Sequence, residues 1–181
     1  MSIFKINHQS QNSGARIGSL KTGHGTIETP FFMPIATYGA VKTQSSNEIK
    51  GLPSKILLSN TYHLYIRPGT EILEQAGGLH KFMNWNRIIL TDSGGYQVYS
   101  LKGMRKISDD GVTFQSHLDG SKHYFTPEKV IEIQRSIGSD IMMMLDVCPP
   151  GNANEKEWLK ALQLTTAWAK RAKKHFDETE P

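Results

Sequence analysis

Short, unbroken apolar runs constrain this chain most. Ile56-Leu57-Leu58, Ile88-Ile89-Leu90 and residues 141–145 are too short for helices and show no polar alternation. Runs of this kind suit strands buried on both faces, the habit of parallel sheets. Parallel neighbours need long crossovers, usually helical. The intervening stretches supply them. Residues 46–52 read as a short helix, and residues 69–77 as a helix with Ile72, Leu73 and Ala76 on one face, ending at glycine. Thr126-Pro127 reads as an N-cap followed by proline at the first helical position. Val130, Ile133 and Ile137 then form a buried stripe, and Gly138 stops the helix. Residues 154–176 read as a long amphipathic helix with Trp158, Leu162, Thr165, Ala169, Ala172 and Phe176 on one face. Phe31-Phe32-Met33-Pro34-Ile35 is a further core strand, although Pro34 argues against a central one. The fold class is α/β, and the pattern alone does not separate a doubly wound sheet from a barrel.

Two stretches break this alternation. Residues 1–29 hold short mixed runs punctuated by Gly14, Gly18, Gly23 and Gly25, and read as a small antiparallel meander. Residues 112–124 read as an inserted β-hairpin turning at Leu118-Asp119-Gly120-Ser121.

The chain has 181 residues, enough for a domain with a real core. A net charge of +4 permits a nucleic-acid partner without requiring one. The single cysteine, Cys148, excludes an internal disulfide and fits a reducing compartment. No apolar stretch reaches the roughly 18 residues of a membrane span, and the first residues lack the apolar region of a signal peptide, so a cytoplasmic protein without membrane contact is expected.

Chemistry concentrates where the apolar runs end. Thr91-Asp92-Ser93-Gly94-Gly95-Tyr96-Gln97 follows one run, and Asp146 ends another. Glycines admit a ligand close to the backbone, a ring can stack on a flat base, and carboxylates accept from ring N–H groups. Each residue also has a plainer reading. Asp92 can cap the next turn, Ser93-Gly94-Gly95 can be an ordinary tight turn, Tyr96 a core tyrosine, and Asp146 a loop cap. Asn60, Thr61 and His63 follow the run at 56–58 and either support Asp92 or satisfy strand-end hydrogen bonds. Gln97 carries an amide able to hydrogen-bond nearby but is not assigned to the site. Cys148 has no evident histidine partner and reads as a small buried residue.

Five ordered motifs resemble the tRNA-guanine transglycosylases, the queuine tRNA-ribosyltransferase family. They are Ser59-Asn60-Thr61-Tyr62-His63-Leu64 with Arg67-Pro68-Gly69; Gly77-Gly78-Leu79-His80; residues 91–97; Gly111-Val112-Thr113-Phe114; and Ser116-His117-Leu118-Asp119-Gly120. The resemblance spans residues 14–176 and looks bacterial rather than archaeal. It implies a TIM-type (β/α)8 barrel, of which residues 1–181, with about four core strands, would form the N-terminal half. It implies exchange of wobble guanine in tRNA for a 7-substituted deazaguanine through a covalent ribosyl-enzyme intermediate. Asp92 would be the catalytic acid/base. Asp92, Ser93, Gly94, Gly95, Tyr96 and Asp146 would bind the base, with Asn60, Thr61 and His63 supporting. The attacking aspartate would belong to a later strand, so these residues alone should be inactive. Bacterial members usually read Asp-Glu-Cys where this chain reads Asp146-Val147-Cys148, a departure that bears on which deazaguanine is preferred.

The resemblance further implies tRNA and guanine or a deazaguanine as partners, a homodimer in the full-length protein, and a structural zinc held by three cysteines and a histidine in the C-terminal half. No Cys-x-Cys-x-x-Cys pattern occurs here, so no metal or cofactor is expected in this chain. The basic run at residues 170–175 reads as a solvated helix end complementing the helix dipole. Two other roles stay open: a non-catalytic subunit that binds tRNA or the base, and an inactive truncated fragment.

Overall fold

The computed structural model describes residues 3–101 and 103–179. Strands β1 (Phe4–Gln9), β2 (Arg16–Thr22) and β3 (Gly25–Thr29) form an antiparallel meander, as the glycine punctuation predicts. The apolar runs become β4 (Ile56–Ser59), β5 (Ile88–Thr91) and β9 (Ile141–Met142), which pair in parallel in that order. Ile56, Leu57, Ile88 and Ile89 are fully buried, so both faces of this sheet are covered. A second antiparallel sheet holds β6 (Arg105–Ile107), β7 (Val112–Gln115) and β8 (Lys122–Phe125). The expected hairpin is therefore the last two strands of a three-stranded unit; three residues gave β6 too little pattern to read.

Helices α1 (Ser46–Gly51), α2 (Thr61–Ile66), α3 (Thr70–Gln75), α4 (Leu79–Phe82) and α5 (Gly95–Ser100) are short connectors. Helix α6 (Pro127–Ile137) and helix α7 (Glu155–Glu178) are the long ones. Thr126 caps α6 by accepting from the Lys129 N–H, Pro127 is its first residue, and Gly138 ends it at φ +80°. A left-handed residue there favours glycine. Asn154 and Glu157 form a reciprocal capping box at the start of α7. Its far end is held by Arg135 of α6, which donates to the carbonyls of Phe176 and Thr179 at 2.8 and 2.6 Å. Arg171 grips Glu128 through two N–H groups at 2.7 and 2.8 Å, tying α7 to the start of α6.

Four sequence expectations are corrected. Residues 31–35 form no strand: Ile35 makes one parallel bridge with Leu58. Proline at 34 lacks the N–H that a continuous ladder requires, and only its carbonyl is used, accepting from Leu58 at 3.0 Å. In α3 only Leu73 is buried, while Ile72 is half exposed, because six residues present a single turn to the core. In α7 the buried stripe is Ala161, Trp168 and Ala172, whereas Trp158 and Leu162 are exposed. Trp168 sets that rotation by donating from Nε1 to the Asp109 carbonyl at 2.7 Å. Finally, the strand expected over residues 141–145 stops at Met142.

A buried glutamine ends that strand. Gln134 of α6 is fully buried and lies on the apolar stripe, four residues after Val130. Its Oε1 accepts from the Met143 N–H at 3.0 Å and from Thr91 Oγ1 at 2.7 Å. Its Nε2 donates to the Met143 and Val130 carbonyls at 2.9 and 3.2 Å. The amide thus bonds both backbone groups of Met143, whose N–H also donates to the Thr91 carbonyl of β5 at 3.1 Å.

At the opposite, amino-terminal ends of the parallel strands, Asp140 joins the meander to the main sheet. Its carboxylate accepts from the backbone N–H groups of Ile89 and His24 at 3.0 and 3.1 Å, and from His24 Nδ1 at 2.9 Å. Burial acts to raise its pKa, but the donors from His80, Ile89 and His24 outweigh it and hold the carboxyl well below its usual range.

Two substitutions test this packing by urea unfolding. Gln134→Leu strands the Met143 carbonyl and should cost about 1–3 kcal/mol. Leu162→Ala, on the exposed side of α7, should stay within about 0.5 kcal/mol. A large loss at Leu162, or a neutral Gln134→Leu, would contradict the packing described.

Candidate active site

The carboxyl ends of β4, β5 and β9 lie side by side, and each is followed by a polar residue. Asn60 is the N-cap of α2, directly after β4. Asp92 directly follows β5, and its N–H donates to the Ser59 carbonyl at 3.1 Å, continuing the parallel ladder. Asp146 lies four residues past β9, beyond the turn locked by Gln134.

Asp92 is surrounded by donors. Oδ1 accepts from the backbone N–H groups of Thr61 and Gly94 at 2.9 and 3.2 Å. Oδ2 accepts from Asn60 Nδ2 and, at 3.0 Å, from Gln97 Nε2. Four donors use the roughly four lone-pair positions that a carboxylate offers. The Thr61 hydroxyl also donates to the Asp92 carbonyl at 2.5 Å. The expected support by Asn60 and Thr61 is thus direct contact with Asp92.

Gln97 belongs to the same shell, although sequence reading left it out. The signal was its position five residues after Asp92, one turn into α5, where a side chain can reach back over the segment. Its Oε1 is buried with no hydrogen-bond partner among the described residues.

Asp146 is less fully occupied. Oδ1 accepts from Ser93 Oγ at 2.7 Å and Oδ2 from the Cys148 thiol at 3.1 Å. With one donor on each oxygen among the described residues, acceptor capacity remains for a ligand. Gly95 makes this approach possible, because a Cβ there would overlap the Asp146 carboxylate. Its N–H donates to Ser93 Oγ at 3.1 Å. The Ser93-Gly94-Gly95 turn therefore touches both carboxylates: Gly94 bonds Asp92 and Ser93 bonds Asp146. Gly94 takes φ +78°, a left-handed conformation that suits glycine.

Tyr96 is no core residue, since it is 67% exposed beside this turn. His63 is not bonded to Asp92. Its ring packs against Tyr38 at 4.8 Å and edge-on to Tyr62 at 5.2 Å, and its buried Nδ1 has no partner among the described residues. Burial, reinforced by nearby His117, lowers its pKa against the opposing pull of Asp92, so the neutral ring is favoured. Val147 packs against the main core, and its N–H donates to Thr165 Oγ1 at 3.0 Å. A carboxylate in that position would be desolvated, which suits valine here.

Cys148 is not built as a nucleophile. Burial, then the hydrogen bond and negative charge of Asp146, push its thiol up to about 12. Above pH ~9 the unfolded chain releases the thiol proton while the folded chain keeps it, so this group lowers stability as pH rises. At pH 8 the native thiol should react with iodoacetamide about 10³-fold more slowly than in the urea-unfolded chain, from the difference in thiolate fraction. Asp146→Asn should speed the native reaction. Equal native and unfolded rates would show that the thiol does not sit against Asp146.

This geometry can be set beside known proteins. The family model described as Queuine tRNA-ribosyltransferase matches residues 10–181. The chain is 55% identical over 177 residues to a queuine tRNA-ribosyltransferase of Thermoanaerobacter pseudethanolicus, covering 98% of this chain and 47% of that protein. It is likewise 55% identical over 177 residues to that of Caldanaerobacter subterraneus subsp. tengcongensis, with 98% and 47% coverage. For that of Halothermothrix orenii the identity is 51% over 175 residues, covering 96% and 47%. The chain spans about half the length of these relatives. With a family model matched over nearly its whole length, the chain belongs to the queuine tRNA-ribosyltransferase family.

Proposed function

We propose that the protein containing this chain is a tRNA-guanine transglycosylase, which replaces wobble guanine in tRNA by a 7-substituted deazaguanine. The observation that carries this reading is the pair of strand-end carboxylates, Asp92 and Asp146, joined by the Ser93-Gly94-Gly95 turn beside an exposed Tyr96 ring. Asp146, with free acceptor capacity, receives the N–H edge of the base. Backbone groups of the glycine turn line its plane, and Tyr96 stacks on it. A flipped-out nucleotide reaches such a pocket more readily than a stacked one.

Asp92 handles protons in this reading. Its full complement of donors means that one must withdraw before it accepts a proton. The backbone N–H groups of Thr61 and Gly94 are fixed, so the side chains of Asn60 or Gln97 are the ones that move. An aspartate beyond these 181 residues attacks the ribose anomeric carbon and forms the covalent ribosyl-enzyme; the incoming base then displaces it. The 181 residues alone are therefore inactive.

The parallel strands are read as the first part of a (β/α)8 barrel, residues 1–181 forming part of that domain with residues 1–29 as its meander. The order in space, from Ile35 through β4 and β5 to β9, follows the order in the chain, as barrels require. Apolar side chains at the two edges of this sheet, Phe32, Ile35, Met143 and Met144, are exposed, which suits cover by further strands. The full-length protein is read as a homodimer.

The test is incorporation of radiolabelled guanine into tRNA by the full-length protein. Asp92→Asn and Asp146→Ala should each lower exchange by about 10²-fold or more, with the fold retained by circular dichroism. Undiminished exchange in either variant would remove that residue from the site. Exchange at the parental rate by residues 1–181 alone would overturn the assignment of the nucleophile.

A further inference from the structure

Two tyrosines one turn apart on α2 each end on a histidine of the β7–β8 hairpin. The Tyr62 hydroxyl lies 2.8 Å from His117 Nδ1, and the Tyr65 hydroxyl 3.2 Å from His123 Nδ1. Residues three apart share a face of a helix, so the hairpin grips one side of α2 at two points. Asn60 and Thr61, at the start of the same helix, supply two of the four donors to Asp92. We propose that Tyr62 and His117 are positioning residues, whose hydrogen bond holds the donors in place around Asp92; this rests on Asp92 being the group that handles protons.

Tyr62 is well placed for that role. It is 1% exposed, and its ring packs against Phe114 at 5.5 Å. Its backbone follows directly on Thr61, and it also faces the bare α-carbon of Gly94. A Cβ added at Gly94 would lie 3.1 Å from Tyr62 Cβ and 3.3 Å from its backbone nitrogen. The N–H groups of Thr61 and Gly94 are the two that bond Asp92 Oδ1. One residue therefore sits against both backbone donors. Burial holds its phenol above the ordinary pKa, with Tyr38 and Asp119 adding to the rise against a lowering hydrogen bond from the His117 backbone. The phenol keeps its proton and donates it. Among the described residues His117 Nδ1 is the acceptor, which leaves the ring proton on Nε2.

The hairpin side of the bond is fixed as well. The Ser116 hydroxyl accepts from the Leu118 N–H at 3.1 Å, and the Ser116 N–H donates to the Ser121 carbonyl at 2.8 Å, closing the turn that presents His117. Asp119 accepts from the Ser121 N–H and hydroxyl at 3.1 and 2.7 Å. The second link is braced by rings: His123 stacks on Phe114 at 5.4 Å, and Tyr65 meets Phe125 edge-on at 5.1 Å. His117 itself is exposed, so its contribution is the bond to Tyr62 and not the filling of the core. The inserted sheet, which adds no strand to the parallel ladder, thereby reaches the candidate catalytic carboxylate through one buried hydroxyl.

The test is steady-state exchange of labelled guanine into tRNA by the full-length protein. Tyr62→Phe and His117→Ala should each lower kcat about 10-fold, and leave the KM for guanine within about twofold because Asp146 still holds the base. His117→Asn puts an amide oxygen near the Nδ1 position and should restore most of the rate. His117→Gln, whose acceptor falls near the Nε2 position, should not. The double variant Tyr62→Phe with His117→Ala should be no slower than either single variant, with the fold kept by circular dichroism. Asp92→Asn separates two kinds of failure. If it exchanges guanine at the parental rate, the role of Asp92 falls and the positioning role falls with it. If it does not, while Tyr62→Phe and His117→Ala keep the parental rate, the positioning role alone is overturned. A raised KM with kcat unchanged, no recovery in His117→Asn, or losses that multiply in the double variant would also overturn it.

Discussion

The buried amide of Gln134 is the interaction on which the rest depends. All its hydrogen-bonding capacity is met internally, two donations and two acceptances, in a position closed to water. A polar group there would be a liability if any bond were missing. Complete, it fixes three things at once: the end of β5 through Thr91, the exit of β9 through Met143, and the rotation of α6 against the sheet. Thr91 immediately precedes Asp92, and Met143 lies three residues before Asp146. The positions of both carboxylates are thus inherited from one side chain that touches neither.

The two carboxylates then differ by surroundings rather than by type. Asp92 sits in a complete cage of donors, half backbone and half side chain. Asp146 has one donor on each oxygen and an adjacent glycine where a methyl group could not fit. Acceptor capacity is thus open at Asp146 and filled at Asp92. The turn between them has no side chain longer than serine, which is how two groups 54 residues apart in sequence come to share one short loop.

The sequence carried the parallel strands plainly, because unbroken triplets such as Ile88-Ile89-Leu90 have few other uses. It carried the ends of α6 equally well, since Thr126, Pro127 and Gly138 each act through local backbone chemistry. It carried the candidate site through Asp92, Asn60 and Thr61, which directly follow strands, and through Asp146, four residues past one. It failed where tertiary contacts override pattern. The stripe on α7 was drawn through Trp158 and Leu162, whereas the Asp109 carbonyl and Glu128 turn the helix to bury Trp168. The length of the last strand was misjudged because the Gln134 side chain takes the Met143 carbonyl and shares its N–H with the Thr91 carbonyl of β5. A glutamine four residues after Val130 on an apolar stripe was the visible clue. His63 followed its neighbours in sequence but not in space, since helix geometry turns it toward Tyr38 while Asn60 and Thr61 face Asp92.

The agreement of spatial and chain order in the parallel sheet has a kinetic side. During synthesis each new strand finds its partner already made, so the sheet can lengthen at one margin without threading or rearrangement. The opposite margin, at Ile35, is made first. The one-residue bridge and the proline at 34 leave little continuous backbone there for a wrong neighbour to pair with. An edge without a continuous ladder is a poor template for pairing with a second copy of the chain.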